Sequence, residues 1–287
     1  MNSFVMSNGI NVPFPAFGTY KSTLERGRQP ILDAIEAGYR HFDTASAYGN
    51  EEELGLAIKE SGISRSEFFI TTKLWAAEQG REKAFMGING SLERLGLDYV
   101  DLYLLHWPRL NGSKSDPDDN SWIELNKETW QAMNEMYSEG LANGIGVSNF
   151  LSHHLENISG IGITPMVNQI EFHPGYIQKE TVDYCHDRGI VVEGWSPLGR
   201  GRVLEHPLLK ELSEKYGVST SSICLRFALQ MGVLPLPKAT SKERILGNMS
   251  FVNFEISSED MRRICEMPLA GWSGEHPDKP RQEAVYF

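Results

Sequence analysis

Cysteine is scarce in this sequence. Its 287 residues include three cysteines, Cys185, Cys224 and Cys265, and none of them forms a CxxC pair. An odd and sparse set argues against a disulfide framework and against a cysteine-based zinc site. We therefore expect a protein suited to a reducing compartment, with no metal centre.

Long apolar runs and an excess of positive charge are also missing. No stretch approaches the roughly 18 apolar residues of a membrane span, and the N-terminal MNSFVMSNGINVPF lacks the basic start and apolar core of a signal peptide. The 27 basic and 38 acidic residues give a net charge of −11. This charge argues against a general nucleic-acid or anionic-membrane binder, although it leaves room for a local basic pocket that holds one phosphate. We expect a cytoplasmic protein.

The chain does contain a repeating pattern of short apolar runs that alternate with amphipathic helical patterns. The apolar runs number eight and lie at residues 16–19, 41–45, 68–73, 100–107, 144–148, 167–172, 191–195 and 234–237. Strands that alternate with helices indicate a parallel sheet, and eight such units in a chain of this length favour an α/β fold of the (β/α)8 TIM-barrel type. No linker divides the chain, so we expect a single domain over residues 1–287.

Three further elements are expected outside the eight repeats. Asn8-Gly9 between two short apolar runs predicts an N-terminal β-hairpin over residues 4–14. Two surplus amphipathic patterns, at 206–216 and 258–267, predict two extra helices.

Four polar residues close consecutive apolar runs at the end of a barrel where reacting groups are found. They are Asp43, Tyr48, Lys73 and His106. Taken singly, Asp43 could be a helix cap, Tyr48 a packing residue, Lys73 a solvated cation and His106 a satisfied core histidine. Together they could protonate a carbonyl oxygen, because a lysine cation lowers the pKa of a nearby tyrosine and a histidine can orient the carbonyl.

Six separated segments resemble the aldo-keto reductase family, in order and over nearly the whole chain. They are GYRHFDTASAYGNEEELG (38–55), TTKLW (71–75), LDYVDLYLLHWP (97–108), GVSNF (146–150), NQIEFHP (168–174) and LPKATSKERILGN (236–248). The resemblance implies a barrel that reduces aldehydes and ketones with a nicotinamide cofactor and without a Rossmann fold, which agrees with the lack of a G-x-G-x-x-G motif after the first run. It implies that Tyr48 is the general acid, that Lys73 and Asp43 adjust the pKa of Tyr48, and that His106 orients the substrate carbonyl.

The resemblance also implies a cofactor site. Ser148, Asn149 and Gln169 would bind the nicotinamide carboxamide, although Ser148 or Asn149 could instead cap the next helix. Trp195 would stack on the nicotinamide in place of the commoner tyrosine, and the loop 196–202 would approach the pyrophosphate. The basic cluster Lys238 and Arg244 would bind the 2′-phosphate and so favours NADPH over NADH. The remaining predicted cofactor residues are Thr19, Tyr20, Asp43, Ser196, Leu198, Arg200, Ala239, Thr240 and Asn248.

Aromatic residues near the same ends predict an apolar cleft for a small carbonyl substrate. Its predicted lining is Tyr20, Trp75, His106 and Trp107. The sequence does not decide whether Trp272, in the short C-terminal tail, also lines the cleft. Two other functions compete with this interpretation. One is a metal-dependent hydrolase that uses His41, Asp43, His106 and His173; the other is a catalytically weak cofactor-binding barrel that acts as a regulatory subunit. By analogy with the family we expect a monomer.

Overall fold

The computed structural model describes residues 4–109, 119–279 and 285. Its eight strands form one parallel sheet in the order of the sequence. The strands are β1 Ala16–Gly18, β2 His41–Asp43, β3 Phe69–Leu74, β4 Leu102–Leu105, β5 Ile145–Ser148, β6 Val167–Glu171, β7 Val191–Trp195 and β8 Val233–Leu236. The backbone N–H of Gly18 donates to the carbonyl of Pro237 at 2.9 Å, which brings β1 against the end of β8. The predicted TIM barrel is confirmed.

Ten α-helices surround the sheet in the described part of the chain. They are α1 Gln29–Glu36, α2 Glu51–Ser61, α3 Arg81–Leu95, α4 Ser121–Ser138, α5 Ser152–Asn157, α6 Lys179–His186, α7 Pro207–Tyr216, α8 Thr220–Gln230, α9 Lys242–Gly247 and α10 Ser258–Cys265. The predicted amphipathic spacing accounts for them: in α3, Ile88, Leu92 and Leu95 are buried against the sheet. None of the helices that the structure describes is long and apolar enough to cross a membrane.

Both predicted extra helices are present, as α7 and α10. Helix α10 starts where the sequence suggests, because the hydroxyl of Ser257 accepts the backbone N–H of Asp260 as an N-cap. It ends at Cys265, two residues before the predicted boundary, which is within the usual uncertainty of a helix end.

The predicted hairpin covers the N-terminal end of the barrel. Val5 pairs with Asn11 in an antiparallel bridge, and Gly9 takes the left-handed φ of 86° that its turn requires. Phe4, Met6 and Val12 belong to one buried cluster with residues that begin strands, such as Leu102 and Val167. The hairpin therefore plugs the bottom of the barrel and leaves the opposite end, the C-terminal mouth, for the candidate site.

Candidate active site

The four residues predicted to act together do meet at the C-terminal mouth. Asp43 is the last residue of β2, and Lys73 lies near the end of β3. His106 directly follows β4, and its backbone N–H donates to the carbonyl of Leu74. Tyr48 ends a single helical turn, Ser46–Tyr48, that follows β2.

Lys73 and Asp43 form a fully enclosed ion pair. The Nζ of Lys73 donates to both carboxylate oxygens of Asp43, at 2.7 and 2.8 Å, and to the carbonyl of Thr44 at 2.8 Å. The Lys73 side chain has no exposed surface. Burial alone would lower the pKa of Lys73, but the charge and hydrogen bonds of Asp43, together with Tyr48 and Glu193, outweigh that effect, and the net direction is upward. Lys73 is thus held as a cation, and Asp43 is a partner of this cation rather than a helix cap.

Tyr48 lies beside that cation. Its hydroxyl is 3.5 Å from Nζ of Lys73, and Nζ is 5.0 Å from the centre of its ring. Burial raises the pKa of Tyr48, and the Lys73 charge opposes that rise without cancelling it. Lys73 thus lowers the pKa of Tyr48 as expected, but desolvation of the phenol is the larger effect, so the net direction is upward.

His106 is held as a neutral imidazole. Burial and the Lys73 charge both keep the pKa of His106 well below its usual range. Its ring meets Tyr48 and Trp75 edge-on, with centroids 5.6 and 5.5 Å away. Its Nδ1 is buried and makes no hydrogen bond with any described residue. Since a neutral imidazole still carries one N–H, His106 can donate one hydrogen bond into the mouth.

Ser148 and Asn149 form a hydrogen-bonded rim at the end of β5. The Ser148 hydroxyl donates to the carbonyl of Gln169 at 2.8 Å, and the Asn149 amide donates to the carbonyl of His106 at 2.9 Å. Helix α5 is preceded by Leu151, so the alternative that Ser148 or Asn149 caps it was wrong. The indole N–H of Trp195 donates to Oδ1 of Asn149 at 2.8 Å, which fixes the ring at the mouth.

Gln169 links this rim to the floor of the site. Its amide nitrogen donates to Oδ2 of Asp43 at 2.7 Å and to Oε2 of Glu193 at 2.8 Å. Both amide hydrogens are therefore used, and the side-chain oxygen Oε1 of Gln169, unlike its backbone carbonyl, accepts no hydrogen bond from the described residues.

Glu193 was missed in the sequence analysis. It lies in the middle of β7 and is fully buried. Burial raises the pKa of Glu193 to about 8, and the neighbouring charge of Asp43 acts in the same direction. A signal was present, because a glutamate interrupts the otherwise apolar run VVEGW, and a charged residue inside a buried strand calls for a partner.

The loop 196–202 contacts the C-terminal tail. Ser196 and Arg200 have left-handed φ values of 49° and 56°. The Arg200 guanidinium lies 4.0 Å from Oε1 of Glu275, and Arg202 donates to the carbonyl of Trp272 at 3.0 Å. Leu198 packs against the buried core. The loop is thus tied to the tail, and Arg202 already has partners there.

The predicted basic cluster is exposed at the end of β8 and on α9. Lys238 and Arg244 are exposed, and neither forms an ion pair within the described ranges 4–109 and 119–279. Ala239 and Asn248 are buried beside them. The carbonyl of Thr240 accepts a hydrogen bond from Arg26 at 2.7 Å.

The predicted aromatic lining surrounds Tyr48 in part. The Tyr20 ring, which is 47% exposed, lies 4.9 Å from the Tyr48 ring, and Trp75 contacts His106. Trp107 is half-buried, and its carbonyl accepts a hydrogen bond from Gln79. Trp272 packs against Tyr176 with centroids 5.9 Å apart, in the tail.

Thr19 has a structural position beside β2. It is fully buried, and its hydroxyl donates to the carbonyl of Asp43 at 3.0 Å. Its own carbonyl accepts the amide of Asn50 at 2.8 Å, so Thr19 secures the segment that carries Tyr48.

The residues of the metal-hydrolase alternative are occupied elsewhere. Both ring nitrogens of His41 have partners, the carbonyl of Pro13 at 2.9 Å and the hydroxyl of Thr71 at 3.2 Å. His173 lies against the carbonyl of Pro174 and the carboxylate of Glu171. Asp43 is bound to Lys73, whose positive charge repels a metal ion.

A different group has ligand-type atoms close together in the described part of the chain. His153, His154 and Asp278 place one ligand atom each within 4.8 Å of one another. However, Nδ1 of His154 accepts the backbone N–H of Leu151 at 3.1 Å, so its Nε2 carries the proton and lies 2.8 Å from Oδ1 of Asp278. This geometry suits a contact that ties the tail to α5.

A barrel whose mouth joins a buried lysine–aspartate pair to a tyrosine and a neutral histidine belongs to a carbonyl-reducing class of enzyme. The model of the aldo/keto reductase family matches residues 17–267. The chain belongs to the aldo-keto reductase family and is an oxidoreductase that acts on carbonyl groups.

Similar proteins and solved structures agree with this family assignment. The chain is 42% identical to glyoxal reductase from Bacillus subtilis over 278 residues, which cover 96% of this chain and 95% of the relative. It is 37% identical to an aldehyde reductase from Saccharomyces cerevisiae, with 91% and 89% covered. The crystal structure of a Bombyx mori aldo-keto reductase in complex with NADP superposes with a TM-score of 0.82 at 36% identity, and the match covers 92% of this chain and 91% of that one.

Proposed function

We propose that this protein reduces aldehydes and ketones to alcohols with NADPH as the hydride donor. The observation that carries the proposal is the position of Tyr48, whose hydroxyl lies 3.5 Å from the enclosed Lys73 cation and whose ring contacts neutral His106. A proton donor must hold its proton at neutral pH and yet be able to release it during the reaction. The raised pKa of Tyr48 meets the first requirement, and the adjacent Lys73 meets the second.

Each residue of the mouth has a distinct task in this mechanism. Bound NADPH supplies the hydride that adds to the carbonyl carbon. Tyr48 donates its phenolic proton to the carbonyl oxygen as negative charge develops there. Lys73 stabilises the phenolate left behind, and Asp43 keeps Lys73 charged and in place. His106 donates its N–H to the carbonyl oxygen and so orients the substrate. In alcohol oxidation the same tyrosine accepts the proton.

The residues of the mouth fit a nicotinamide. Both side-chain amide hydrogens of Gln169 point to carboxyl oxygens. Its side-chain oxygen Oε1 is therefore left to accept an N–H from the carboxamide. Ser148 and Asn149 lie beside Gln169, and Trp195, fixed by Asn149, offers a ring face for stacking. The proposal includes the further cofactor residues Thr19, Tyr20, Asp43, Ser196, Leu198, Arg200, Ala239, Thr240 and Asn248.

The exposed cations support NADPH as the preferred cofactor. Lys238 and Arg244 are free of ion pairs within the described ranges, so they can meet the 2′-phosphate that distinguishes NADPH from NADH. For the substrate, the names of the bacterial and yeast relatives support small aldehydes and dicarbonyls, with Tyr20, Trp75, His106 and Trp107 lining the cleft. We further propose one domain over residues 1–287, a monomer and a cytoplasmic location.

Consumption of NADPH in the presence of glyoxal and of simple aldehydes tests the proposal. The absorbance of the reduced nicotinamide should fall with carbonyl present and stay constant without it. In Tyr48→Phe, we expect kcat to fall at least about 100-fold, since a positioned proton donor contributes on that order, while NADPH binding stays close to wild type. Tyr184→Phe, which removes the same hydroxyl on the outer helix α6, is the matched control.

Two results would contradict the proposal. Tight NADPH binding without turnover of any carbonyl would favour the regulatory barrel instead. Turnover retained in Tyr48→Phe would remove Tyr48 from the role of proton donor.

A further inference from the structure

A buried carboxyl group lies at the centre of the barrel without a cation of its own. Glu193 is fully buried, and its Oε2 accepts the amide of Gln169 at 2.8 Å. Its Oε1 has no hydrogen-bond partner among the described residues, and none of them forms an ion pair with it. An unpaired carboxylate in such a place is strongly unfavourable, so the group retains its proton.

The charges that face Glu193 come from two strands on the other side of the barrel. They are Asp43 on β2 and Lys73 on β3, which already satisfy each other through two hydrogen bonds. The neighbouring strands present neutral residues at the same level, Gln169 on β6 and Leu234 on β8. Burial and the Asp43 charge raise the pKa of Glu193 to about 8, within the range in which proteins work.

One side chain separates Glu193 from the proposed nicotinamide position. The side-chain nitrogen of Gln169 donates to Glu193 and Asp43. Its side-chain oxygen Oε1 is the atom that we propose accepts a hydrogen bond from the nicotinamide carboxamide. The nicotinamide ring is neutral in NADPH and positively charged in NADP⁺. A negative charge on Glu193 therefore favours the oxidised ring over the reduced one.

We propose that Glu193 is a positioning residue that responds to the charge of the nicotinamide ring: it keeps its proton beside NADPH and gives it up more readily beside NADP⁺. This inference rests on the proposed function, because it uses the assignment of Gln169 to the carboxamide. By linkage, the oxidised cofactor lowers the affinity of Glu193 for its proton, and deprotonated Glu193 strengthens the binding of the oxidised cofactor by the same factor. The released proton passes to the solvent, and no bond other than O–H is broken.

The ratio of two dissociation constants tests this proposal without any turnover. We would measure Kd for NADPH and for NADP⁺ from pH 6 to about pH 9.5 in wild type and in Glu193→Gln. The two nucleotides share every phosphate, so phosphate titration cancels in the ratio Kd(NADP⁺)/Kd(NADPH). In wild type we expect this ratio to fall as the pH rises across the scan. The total fall should be about tenfold for each pH unit by which the ring charge lowers the pKa of Glu193. In Glu193→Gln, which keeps an acceptor for Gln169 but cannot ionise, the ratio should stay level.

Tyr48 is the other group whose ionisation could follow the ring charge, so both measurements are repeated in the Tyr48→Phe background. The fall should persist in Tyr48→Phe and disappear in Tyr48→Phe/Glu193→Gln. A level ratio in wild type, or an equal fall in Glu193→Gln, would overturn the proposal.

An infrared measurement distinguishes a failure of the proposed function from a failure of the proposed role of Glu193. The absorption of a protonated carboxyl group should be present in wild type at pH 7, should decline at higher pH and should be missing in Glu193→Gln. Weak binding of both nucleotides alongside this signal would count against the proposed function. Tight binding with a pH-independent ratio would count against the role of Glu193 alone.

Discussion

Lys73 directs its ammonium group to three oxygen atoms at hydrogen-bonding distance, and this sets the character of the site. Asp43 provides two of these oxygens and Thr44 the third, so the position of Nζ is determined by β2 and the residue after it. The Tyr48 hydroxyl, at 3.5 Å, is a weak fourth contact. Lys73 therefore acts on Tyr48 mainly through its charge, and a shift of β2 would alter that action directly.

At the other end of the proposed cofactor site, Lys238 should decide between the two nicotinamide cofactors. In Lys238→Ala, we expect Kd for NADPH to rise about tenfold or more, because a charge-assisted hydrogen bond to a phosphate contributes roughly 1.5–3 kcal/mol. Kd for NADH, which has no 2′-phosphate, should change little. Fluorescence titration with both nucleotides measures the two effects.

Lys242→Ala is the matched control for this experiment. Lys242, the first residue of α9, is also exposed, but its Nζ lies 2.8 Å from Oε2 of Glu36. Removing it deletes the same charge and should weaken NADPH less. Equal losses of NADPH affinity in the two variants would mean that general charge, rather than a contact of Lys238, determines the preference.

The four residues proposed to carry the chemistry were predictable from the sequence, whereas Glu193, which lies behind them, was not. Asp43, Lys73 and His106 lie at the ends of apolar runs and Tyr48 follows one in the adjacent segment, and topology alone brings such ends together. Glu193 lies inside a run, so only the register of β7 against β6 reveals that it faces Gln169. The direction of the Tyr48 pKa shift also depended on burial, which the position of the residue in the sequence does not give.

At the level of elements, the tail from Gly271 is fastened to the mouth by buried polar contacts. Glu171, the last residue of β6, accepts the backbone N–H of Ser273 at 2.9 Å and its hydroxyl at 2.7 Å. Ser273 has no exposed surface. Arg202 extends the attachment to the loop after β7. The tail thus connects the ends of two strands that carry proposed cofactor residues.

Ser273→Ala should loosen this tail. A hydrogen bond to a charged, buried carboxylate is worth about 1.5–3 kcal/mol, so local opening should become roughly 10–100 times more frequent. Amide hydrogen exchange over residues 271–279, followed by mass spectrometry, would detect the change.

Ser138→Ala is the corresponding control. Its hydroxyl donates to the carbonyl of Asn134 at 2.9 Å on the exposed surface of α4. Such a change should leave exchange in the tail unaltered. If exchange in the tail stays at the wild-type rate in Ser273→Ala as well, the Glu171 contact does not hold the tail.

Element identity was easier to predict than element length. All eight strands lie within or next to the expected runs, but β4 covers Leu102–Leu105 instead of 100–107. Val100 makes only an isolated bridge with Ala142, and residues 106 and 107 leave the ladder to form the mouth. Asp101 and His106 flank the strand directly, and the expected run was too long because it reached past them to the apolar Val100 and Trp107.

At the level of the whole molecule, the net charge of −11 does not describe the centre of the proposed site. Lys73 and Asp43 neutralise each other at the centre, and a protonated Glu193 adds no charge. The acidic surface and the exposed cations at Lys238 and Arg244 are therefore separate from the charges that support the chemistry.

Glu193 should make the stability of the whole protein depend on pH. Its pKa rises from an ordinary 4.5 in the unfolded chain to about 8 in the folded one. The folded state therefore keeps a proton that the unfolded state has lost between these values. Stability from this group is fully present below pH 4.5 and declines by about 1.4 kcal/mol per pH unit as the pH rises toward 8.

Glu193→Gln removes this titration, so its free energy of unfolding relative to wild type should increase steadily across that window and level off above about pH 8. Urea unfolding at several pH values measures the difference. Glu25→Gln, in an exposed loop, makes the same chemical change at the surface, and its curve should run parallel to that of wild type. A constant difference between Glu193→Gln and wild type from pH 5 to pH 8 would mean that Glu193 is ionised in the folded protein, because only a group that retains its proton on folding produces the slope.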